Sequence, residues 1–483
     1  MTRTWLVIAL VMIAALWPRA ALKTAPGSRL FPETGWQVGG RLLEYWDANG
    51  GLPVFGLPIG PQRTEQINGE TIEVQPFERA RLELHPNNQP PYDVLLGRLG
   101  ADALQKSGRD WHAEHAASAF GGPCQTFETG HNICGPFLTY WQRHGLDLGD
   151  SGASARESLA LFGLPLTDAH AEMASNGASL ITQWFERARF EFHPDNPEPY
   201  NVLLGRLGAE IDGEPAGLPR PSVQVTTGTT VAQGHMLEVT AQFSQTVTGM
   251  LGSAPLPFVQ TANGWRAFSA VSAIQPPGAL PLTVQATLPD GRIAATSVSI
   301  TVVSAGYPVD YIALPADVQA ALNNNEAALA QERAEVNAVW AETTPERLWQ
   351  GRWQLPAQGR LSSPFGAGRS YDGGPVDSFH EGMDIANVNG TPIYAPARGR
   401  VALAKTGYVA RGGAVIIDHG WGVHSGYWHM DEVLVQPGQM VEAGQLIGRM
   451  GAQGMVTGPH LHWEVHVGMI STDPQQWLDR DWP

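Results

Sequence analysis

The chain contains an internal duplication that limits how its N-terminal part can fold. The segment "FERARLELHPNNQPPYDVLLGRLGA", which begins at Phe77, recurs as "FERARFEFHPDNPEPYNVLLGRLGA" from Phe185. Upstream of these segments, "ETGWQVGGRLLEYWDANG" corresponds to "ETGHNICGPFLTYWQRHG". Self-similarity of this kind predicts two copies of one supersecondary unit. We therefore expect two α+β repeat modules, at residues 26–110 and 120–213.

Each repeat pairs a short helix with an alternating strand. The helices carry Tyr-Trp pairs at 45–46 and 140–141, and aromatic residues at helical spacing are typical of a core. In the strand after Phe77, alternate residues face opposite sides, and the apolar side consists of Ala80, Leu82 and Leu84. The pattern resembles a tandem repeat of exported bacterial proteins that has no known role. A binding or targeting role and a spacer role both remain open.

The middle of the chain changes composition twice. Residues 218–304 are rich in Thr, Val and Ser, and their short alternating runs separated by turn signals predict an immunoglobulin-like β-sandwich. Residues 305–355 predict a helical linker, because Leu322, Leu329 and Val336 recur every seven residues with Trp340 on the same side. With 55 Gly and 37 Pro among 483 residues, we expect a multidomain, mainly β protein.

The N-terminal residues predict export. Arg3 precedes an apolar stretch from Trp5 to Trp17 that is too short to span a bilayer, so residues 1–25 indicate a signal peptide or a retained N-terminal anchor. We expect an extracellular, cell-wall-associated or periplasmic location, with membrane contact only through such an anchor. An even cysteine count in an exported chain favours a disulfide between Cys124 and Cys134, with two buried thiols as the alternative.

The charge of the chain argues against nucleic acid as a partner. The formal net charge is −16, and the 30 basic residues form no long run. Binding to a phosphate backbone requires concentrated Lys and Arg. The sequence does not indicate an oligomeric state.

Histidines gather near the C-terminus in a pattern that suggests a metal site. His460 and His462 alternate along a predicted strand and therefore project from the same face, while His380 is followed by Asp384. Two imidazoles and one carboxylate suit a zinc ion that keeps one position open for water. Seven histidines lie in this region: His380, His419, His424, His429, His460, His462 and His466.

Two other motif interpretations are disfavoured. "HEGMD" begins like the H-E-x-x-H zinc motif, but Asp384 stands where its second histidine would be, and Gly382 weakens a helix. Ser425 in "GVHSGY" lacks the G-x-S-x-G elbow of serine hydrolases.

Several motifs, taken together and in order, resemble those of the LytM or lysostaphin-like zinc endopeptidases of peptidase family M23. They are "SSPFG" at 362–366, "HEGMD" for H-x(3)-D, "GTPIYAPARGRV", "YWHM" and "GPHLHWEV" for H-x-H. The resemblance implies an antiparallel-β peptidase domain at residues 356–483 that contains one Zn²⁺. It also implies peptide hydrolysis in peptidoglycan, the polymer with which we expect the protein to interact.

The resemblance also assigns roles to residues. It implies that His380, Asp384 and His462 are metal ligands, and that His429 and His460 are the catalytic histidines that transfer protons and stabilise the oxyanion. We interpret the other three histidines of the region as structural. The alternatives are a non-catalytic cell-wall-binding or amidase-activating protein with a peptidase scaffold, and a peptidase that cuts Gly-rich proteins outside the wall.

Overall fold

The structure, a computed structural model, describes most of the chain beyond the N-terminus. The predicted signal segment and Leu322 lie outside the described residues, which are 27–114, 117–173, 179–214, 217–313 and 324–482. Within these ranges the chain forms two compact units, one of 27–219 with 287–294 and the other of 220–286 with 295–482. The described helices and strands confirm the mainly β, multidomain prediction. None of the helices in these ranges is long and apolar enough to cross a membrane.

The first unit contains the two repeat modules, and each has helices packed on a four-stranded antiparallel sheet. Module 1 consists of β1 (Ser28–Leu30), β2 (Gln37–Gly39), α1 (Gly40–Ala48), α2 (Gly51–Phe55), β3 (Arg63–Ile67), β4 (Glu70–Pro76), β5 (Arg81–Leu84), β6 (Val94–Leu96) and α3 (Leu99–Lys106), followed by a 3-10 turn at Trp111–Ala113. Module 2 consists of β7 (Cys124–Thr126), β8 (Asn132–Cys134), α4 (Gly135–Arg143), α5 (Ala155–Phe162), β9 (His170–Met173), β10 (Ser179–Trp184), β11 (Arg189–Phe192), β12 (Val202–Leu204) and α6 (Leu207–Asp212).

The apolar side chains that the repeat pattern predicts as core lie in or against one hydrophobic cluster, in which Leu84, Trp46 and Tyr140 are only partly buried. Leu82 is fully buried and Ala80 nearly so, while Tyr45 and Trp141 are buried in a core shared by both modules. A disulfide joins Cys124 and Cys134, which lie opposite each other in the β7–β8 hairpin.

The two modules bind each other reciprocally through their most similar segments. The amide of Ala101 donates to the carbonyl of Glu186 at 3.1 Å, and the amide of Ala209 donates to the carbonyl of Glu78 at 3.1 Å. Ion pairs repeat the exchange, since Arg98 binds Glu186 and Arg206 binds Glu78. The repeated "FERAR" and "GRLGA" segments therefore form the interface between the modules as well as each module's own structure.

A glycine in each module makes this close approach feasible. A Cβ atom added to Gly100 would lie 1.9 Å from the carbonyl oxygen of Phe185, and one added to Gly208 would lie 1.8 Å from that of Phe77. Both obstacles are backbone atoms, which cannot rotate away. Any side chain larger than hydrogen must therefore push the modules apart.

We expect Gly100→Ala to lower the free energy of unfolding by about 1–3 kcal/mol, as overpacking does in a tightly packed core. Chemical denaturation followed by tryptophan fluorescence measures the change. Gly121→Ala is the matched control, because a Cβ there would meet nothing within 4 Å. Equal stabilities of the two variants would contradict the close-packing explanation.

The second unit begins with the predicted sandwich. One sheet has the strand order β13-β15-β19-β18 and the other β14-β21-β20-β16-β17, with apolar residues of both sheets forming the core between them. The strands are β13 (Ser222–Val225), β14 (Thr230–Ala232), β15 (Met236–Gln242), β16 (Val247–Leu251), β17 (Ala254–Leu256), β18 (Val259–Thr261), β19 (Gly264–Ala270), β20 (Gly278–Thr287) and β21 (Ile293–Val303).

The C-terminal part is built on one ten-stranded sheet. Its strands β26 and β33 are neighbours, with β30 on the other side of β33. The elements are β22 (Val309–Ile312), α7 (Glu326–Trp340), β23 (Arg360–Ser363), β24 (Gly368–Tyr371), β25 (Ser378–Phe379), β26 (Gly382–Ala386), β27 (Pro392–Tyr394), β28 (Gly399–Tyr408), β29 (Gly412–Gly420), β30 (Val423–Val433), β31 (Met440–Val441), β32 (Leu446–Met450), β33 (His460–Val467), β34 (Ile470–Thr472) and α8 (Gln475–Asp479).

The helix predicted in the linker packs against this sheet. Val336 and Trp340 are buried on α7 in a cluster with Ile416 and Trp428 of the sheet, and Leu329 is half-buried. The described part of the predicted apolar stripe therefore faces a neighbour, as expected for an amphipathic helix. The domain boundaries at residues 110, 213, 304 and 355 stay predictions.

Candidate metal centre

Three potential metal ligands meet where β26 and β33 pair. The antiparallel register places Asp384 opposite His462, and His380 lies just before β26. Asp384 Oδ1 is 2.8 Å from His462 Nδ1 and 3.1 Å from His380 Nε2, and the two nitrogens are 3.1 Å apart. The sheet register therefore brings together two histidines and one aspartate that are distant in sequence.

The second nitrogen of each imidazole has its own acceptor. His380 Nδ1 donates to the carbonyl oxygen of Pro364 at 2.7 Å, and His462 Nε2 donates to Glu464 at 2.9 Å. These bonds leave His380 Nε2 and His462 Nδ1 as the nitrogens that face Asp384. Each donates to the carboxylate when it carries a proton and offers a lone pair to a metal ion when it does not. Tetrahedral zinc with bonds of about 2.0–2.1 Å would hold its ligand atoms roughly 3.3 Å apart. The donor set and its compactness fit zinc.

The electrostatics of this cluster favour a positive charge. Burial raises the pKa of Asp384, but hydrogen bonds from His380 and His462 outweigh burial and hold that pKa well below its usual range. Burial lowers the pKa of His462, whereas hydrogen bonds to Asp384 and Glu464 raise it to about 9 overall. Two carboxylates thus surround one imidazole, an arrangement that attracts a proton or a metal cation.

His460 lies beside the three candidate ligands. It shares a face of β33 with His462, and its Nε2 is 3.7 Å from Asp384 Oδ1. Its Nδ1 donates to the carbonyl oxygen of Gly458 at 2.9 Å. The ring nitrogen that is left for proton transfer is therefore the one that faces the cluster.

His429 enters from the neighbouring strand β30. Its ring centroid is 4.8 Å from that of His460, and its Nδ1 donates to the carbonyl oxygen of Gln453 at 3.0 Å. Its φ of +66° lies in the left-handed region that L-residues seldom adopt, so the surrounding structure must enforce this conformation. Burial, followed by the proximity of His462 and His460, lowers the pKa of His429 to about 3. These surroundings therefore favour the neutral form of the His429 imidazole.

Sequence reasoning missed a carboxylate that supports the cluster. Glu464 is buried and accepts one hydrogen bond from His462 and another, at 3.0 Å, from His466. The His466 ring in turn stacks on Trp340 of α7, with centroids 4.1 Å apart. The signal was present in the sequence, because His460, His462, Glu464 and His466 alternate along one face of β33.

The remaining histidines of the region form hydrogen bonds and contacts of their own. His419 is buried, bonds the carbonyl oxygen of Arg398 and contacts Ser425, and its burial lowers its pKa to about 4. His424 is buried near Asp418, and burial lowers its pKa to about 4 as well. Neither belongs to the group of candidate metal ligands among the described residues. Their structural role stays a prediction.

Comparison with known proteins identifies this part of the chain. Residues 378–474 match the model of peptidase family M23. The chain carries an M23 peptidase domain. This confirms the resemblance seen in the sequence, and all five candidate site residues lie inside the matched segment of the M23 domain.

Curated relatives of the M23 domain include proteins named as endopeptidases and proteins named as hydrolase activators. The peptidoglycan DD-endopeptidase ShyA of Vibrio cholerae is 38% identical over 122 residues, which are 25% of this chain and 28% of ShyA. The murein hydrolase activator NlpD of Escherichia coli K12 is 36% identical over 126 residues, 26% of this chain and 31% of NlpD. The chain thus covers less than a third of the length of these relatives.

Solved structures also match the M23 domain. The catalytic domain of the antimicrobial peptidase lysostaphin from Staphylococcus simulans is 26% identical. The match covers 26% of this chain and 90% of that one, with a TM-score of 0.21.

Proposed function

We propose that the protein is an exported, zinc-dependent metalloendopeptidase that hydrolyses peptide bonds in the stems or cross-bridges of peptidoglycan. The observation that carries the proposal is the convergence of His380 Nε2, Asp384 Oδ1 and His462 Nδ1 within 3.1 Å, with two further histidines beside them. Such a set supplies three metal ligands and two proton-transfer groups. The ShyA relative, a peptidoglycan endopeptidase by name, supports the choice of substrate.

His380, Asp384 and His462 would hold the zinc ion, and His429 and His460 would assist the reaction. Zinc would act as a Lewis acid that polarises the peptide carbonyl and makes water a better nucleophile near neutral pH. His429 is bonded through Nδ1 to the carbonyl oxygen of Gln453, which leaves its Nε2 for proton transfer. His460, bonded through Nδ1 to Gly458, presents Nε2 toward Asp384. One imidazole can take the proton from water at Nε2, while the other, protonated at Nε2, would stabilise the oxyanion or pass its proton to the leaving amine.

The rest of the chain suits a role at the cell wall. The N-terminal residues predict export, and an outer membrane antigenic lipoprotein of Haemophilus influenzae is 36% identical over 128 residues. The disulfide between Cys124 and Cys134 suits an oxidising compartment. We propose that the paired repeat modules place the M23 domain on its polymer.

A second candidate function is activation of another murein hydrolase, as the name of the NlpD relative suggests. An activator does not need a metal or proton-transfer groups. In this chain all three ligand positions hold residues that can bind zinc, and the far ring nitrogen of each histidine has its own acceptor. The filled site therefore favours the enzyme.

Digestion of purified peptidoglycan tests the proposal. The zinc-loaded full chain and a chain beginning at residue 220 are each incubated with peptidoglycan, and new amino termini are counted against a His429→Ala control. We expect new termini from wild type and few from the control. Zinc binding without new termini from either chain would refute the enzyme, and faster digestion by an added murein hydrolase would then support the activator. Cleavage of Gly-Gly peptides but not muropeptides would indicate a substrate outside the wall.

A further inference from the structure

Helix α7 carries a buried charge that the family match does not include. The helix ends at Trp340, whereas the matched segment begins at residue 378. On its buried side, between Leu329 and Val336, lies Glu332, whose exposure is only 2%. A glutamate is seldom buried unless hydrogen bonds replace the water that it loses. The hydrogen-bond donors around Glu332 therefore indicate the role of this helix.

Glu332 binds the turn between β28 and β29. One carboxylate oxygen accepts from the amide of Ala410 at 3.1 Å. The other accepts from the amide of Arg411 at 3.1 Å and from its guanidinium at 3.0 Å. Hydrogen bonds to charged groups are among the stronger ones in proteins. Three such bonds to two successive residues hold the turn in one conformation.

The same turn holds His429. The amide of His429 donates to the carbonyl oxygen of Arg411 at 2.8 Å, so one residue accepts from His429 and donates to Glu332. The amide of Met455 donates to the carbonyl oxygen of Ala410 at 3.0 Å, which ties the turn to the segment whose Gln453 carbonyl accepts from the His429 ring. The backbone amide of His429 is therefore bound by the turn that Glu332 holds, and its ring is bound by a segment that is itself hydrogen-bonded to that turn.

His429 needs this support because its backbone conformation is unfavourable. Its φ of +66° requires the neighbouring structure to enforce the conformation. The Arg411 guanidinium also lies 5.1 Å from the ring centroid of Trp428, the residue before His429. If the turn relaxed, both constraints would weaken and the imidazole would move away from the metal ligands.

We propose that Glu332 is a positioning residue for His429, and that α7 therefore belongs to the catalytic apparatus. The proposal rests on the proposed function only in that His429 is taken to act in catalysis. The placement of the His429 ring can be measured whether or not the protein cleaves peptidoglycan.

Glu332→Gln in the zinc-loaded full chain is the direct test. Glutamine keeps the shape of the side chain but turns one acceptor into an NH₂ group that faces N–H donors. With a cross-linked muropeptide as substrate, we expect kcat to fall between about 10-fold and 100-fold, as a small displacement of a catalytic group does, while KM and bound zinc stay unchanged. The histidine ring signals of His429, identified in NMR spectra by their absence from His429→Ala, should shift, and those of His419 should not.

Glu335→Gln is the matched control. Glu335 lies on the same helix but binds Lys405 and Tyr408 rather than the turn that holds His429. We expect its kcat to stay within about twofold of wild type and its His429 signals to stay in place, because exposed ion pairs contribute little. Equal effects of the two substitutions would show a general role of the helix in stability and overturn the proposal.

Arg411→Met is the second variant, in case Glu332→Gln does not fold. It removes the guanidinium from Glu332 and from the ring of Trp428 and leaves both backbone amides bonded. We expect the His429 signals to shift less than in Glu332→Gln. If the His429 signals do not move in the variants that fold, the proposal is overturned, whether or not the wild type is active. If the signals shift but the wild type is inactive, the inactivity contradicts the proposed function and the positioning of His429 by Glu332 stands.

Discussion

His462→Ala is expected to weaken zinc binding more than about 100-fold, which is the upper end of what losing a supporting partner of a metal ligand costs. The substitution removes one of three ligands. It also removes the group that joins the carboxylates of Asp384 and Glu464, leaving each without a hydrogen bond that the wild type provides. Zinc content after dialysis, measured by mass spectrometry, and titration calorimetry with zinc give the affinity.

His460→Ala is the matched control for metal binding. It removes the same side chain from the same face of the same strand, two residues away, but His460 is not one of the three converging ligands. Its zinc content is expected to match wild type. If both variants lost zinc equally, the assignment of metal binding to His462 and of proton transfer to His460 would be wrong.

Local spacing in the sequence pointed to four of the five candidate site residues, whereas the role of His429 came from the family resemblance. His380 and Asp384 lie four residues apart, and strand alternation puts His460 and His462 on one face. These two pairs meet because of the register between β26 and β33, which are neighbours in the sheet but are separated along the chain by six other strands. Strand pattern alone cannot give such a register. The donor count suggested that the pairs form one metal site, and the family resemblance selected His462 as the third ligand.

Other features depend on contacts that leave no side-chain signal. Glu332 acts on the backbone amides of Ala410 and Arg411, and any residue except proline supplies an amide. Likewise, the repeats predicted two modules, but their reciprocal binding runs through the carbonyls of Glu78 and Glu186. Glu464 differs, because its place in the alternation of β33 was visible and only its role was missed.

His460→Ala and His429→Ala are each expected to retain zinc and to lower kcat by about 10²–10⁴-fold, the usual contribution of a general acid or base. The physical reason is that each imidazole is held through Nδ1 by a carbonyl oxygen, that of Gly458 or Gln453, so that Nε2 alone is left to exchange protons. Single-turnover cleavage of a cross-linked muropeptide, with zinc content measured in the same samples, separates loss of chemistry from loss of metal.

The double variant tells whether the two histidines act together. If one imidazole takes the proton from water and the other serves the oxyanion or leaving amine of the same step, removing both should cost little more than removing one, because residues that act as a unit are not additive. Multiplication of the two single effects would instead mean that each acts independently. Retained activity in His429→Ala would contradict its catalytic role, and the left-handed backbone at that position would then need another explanation.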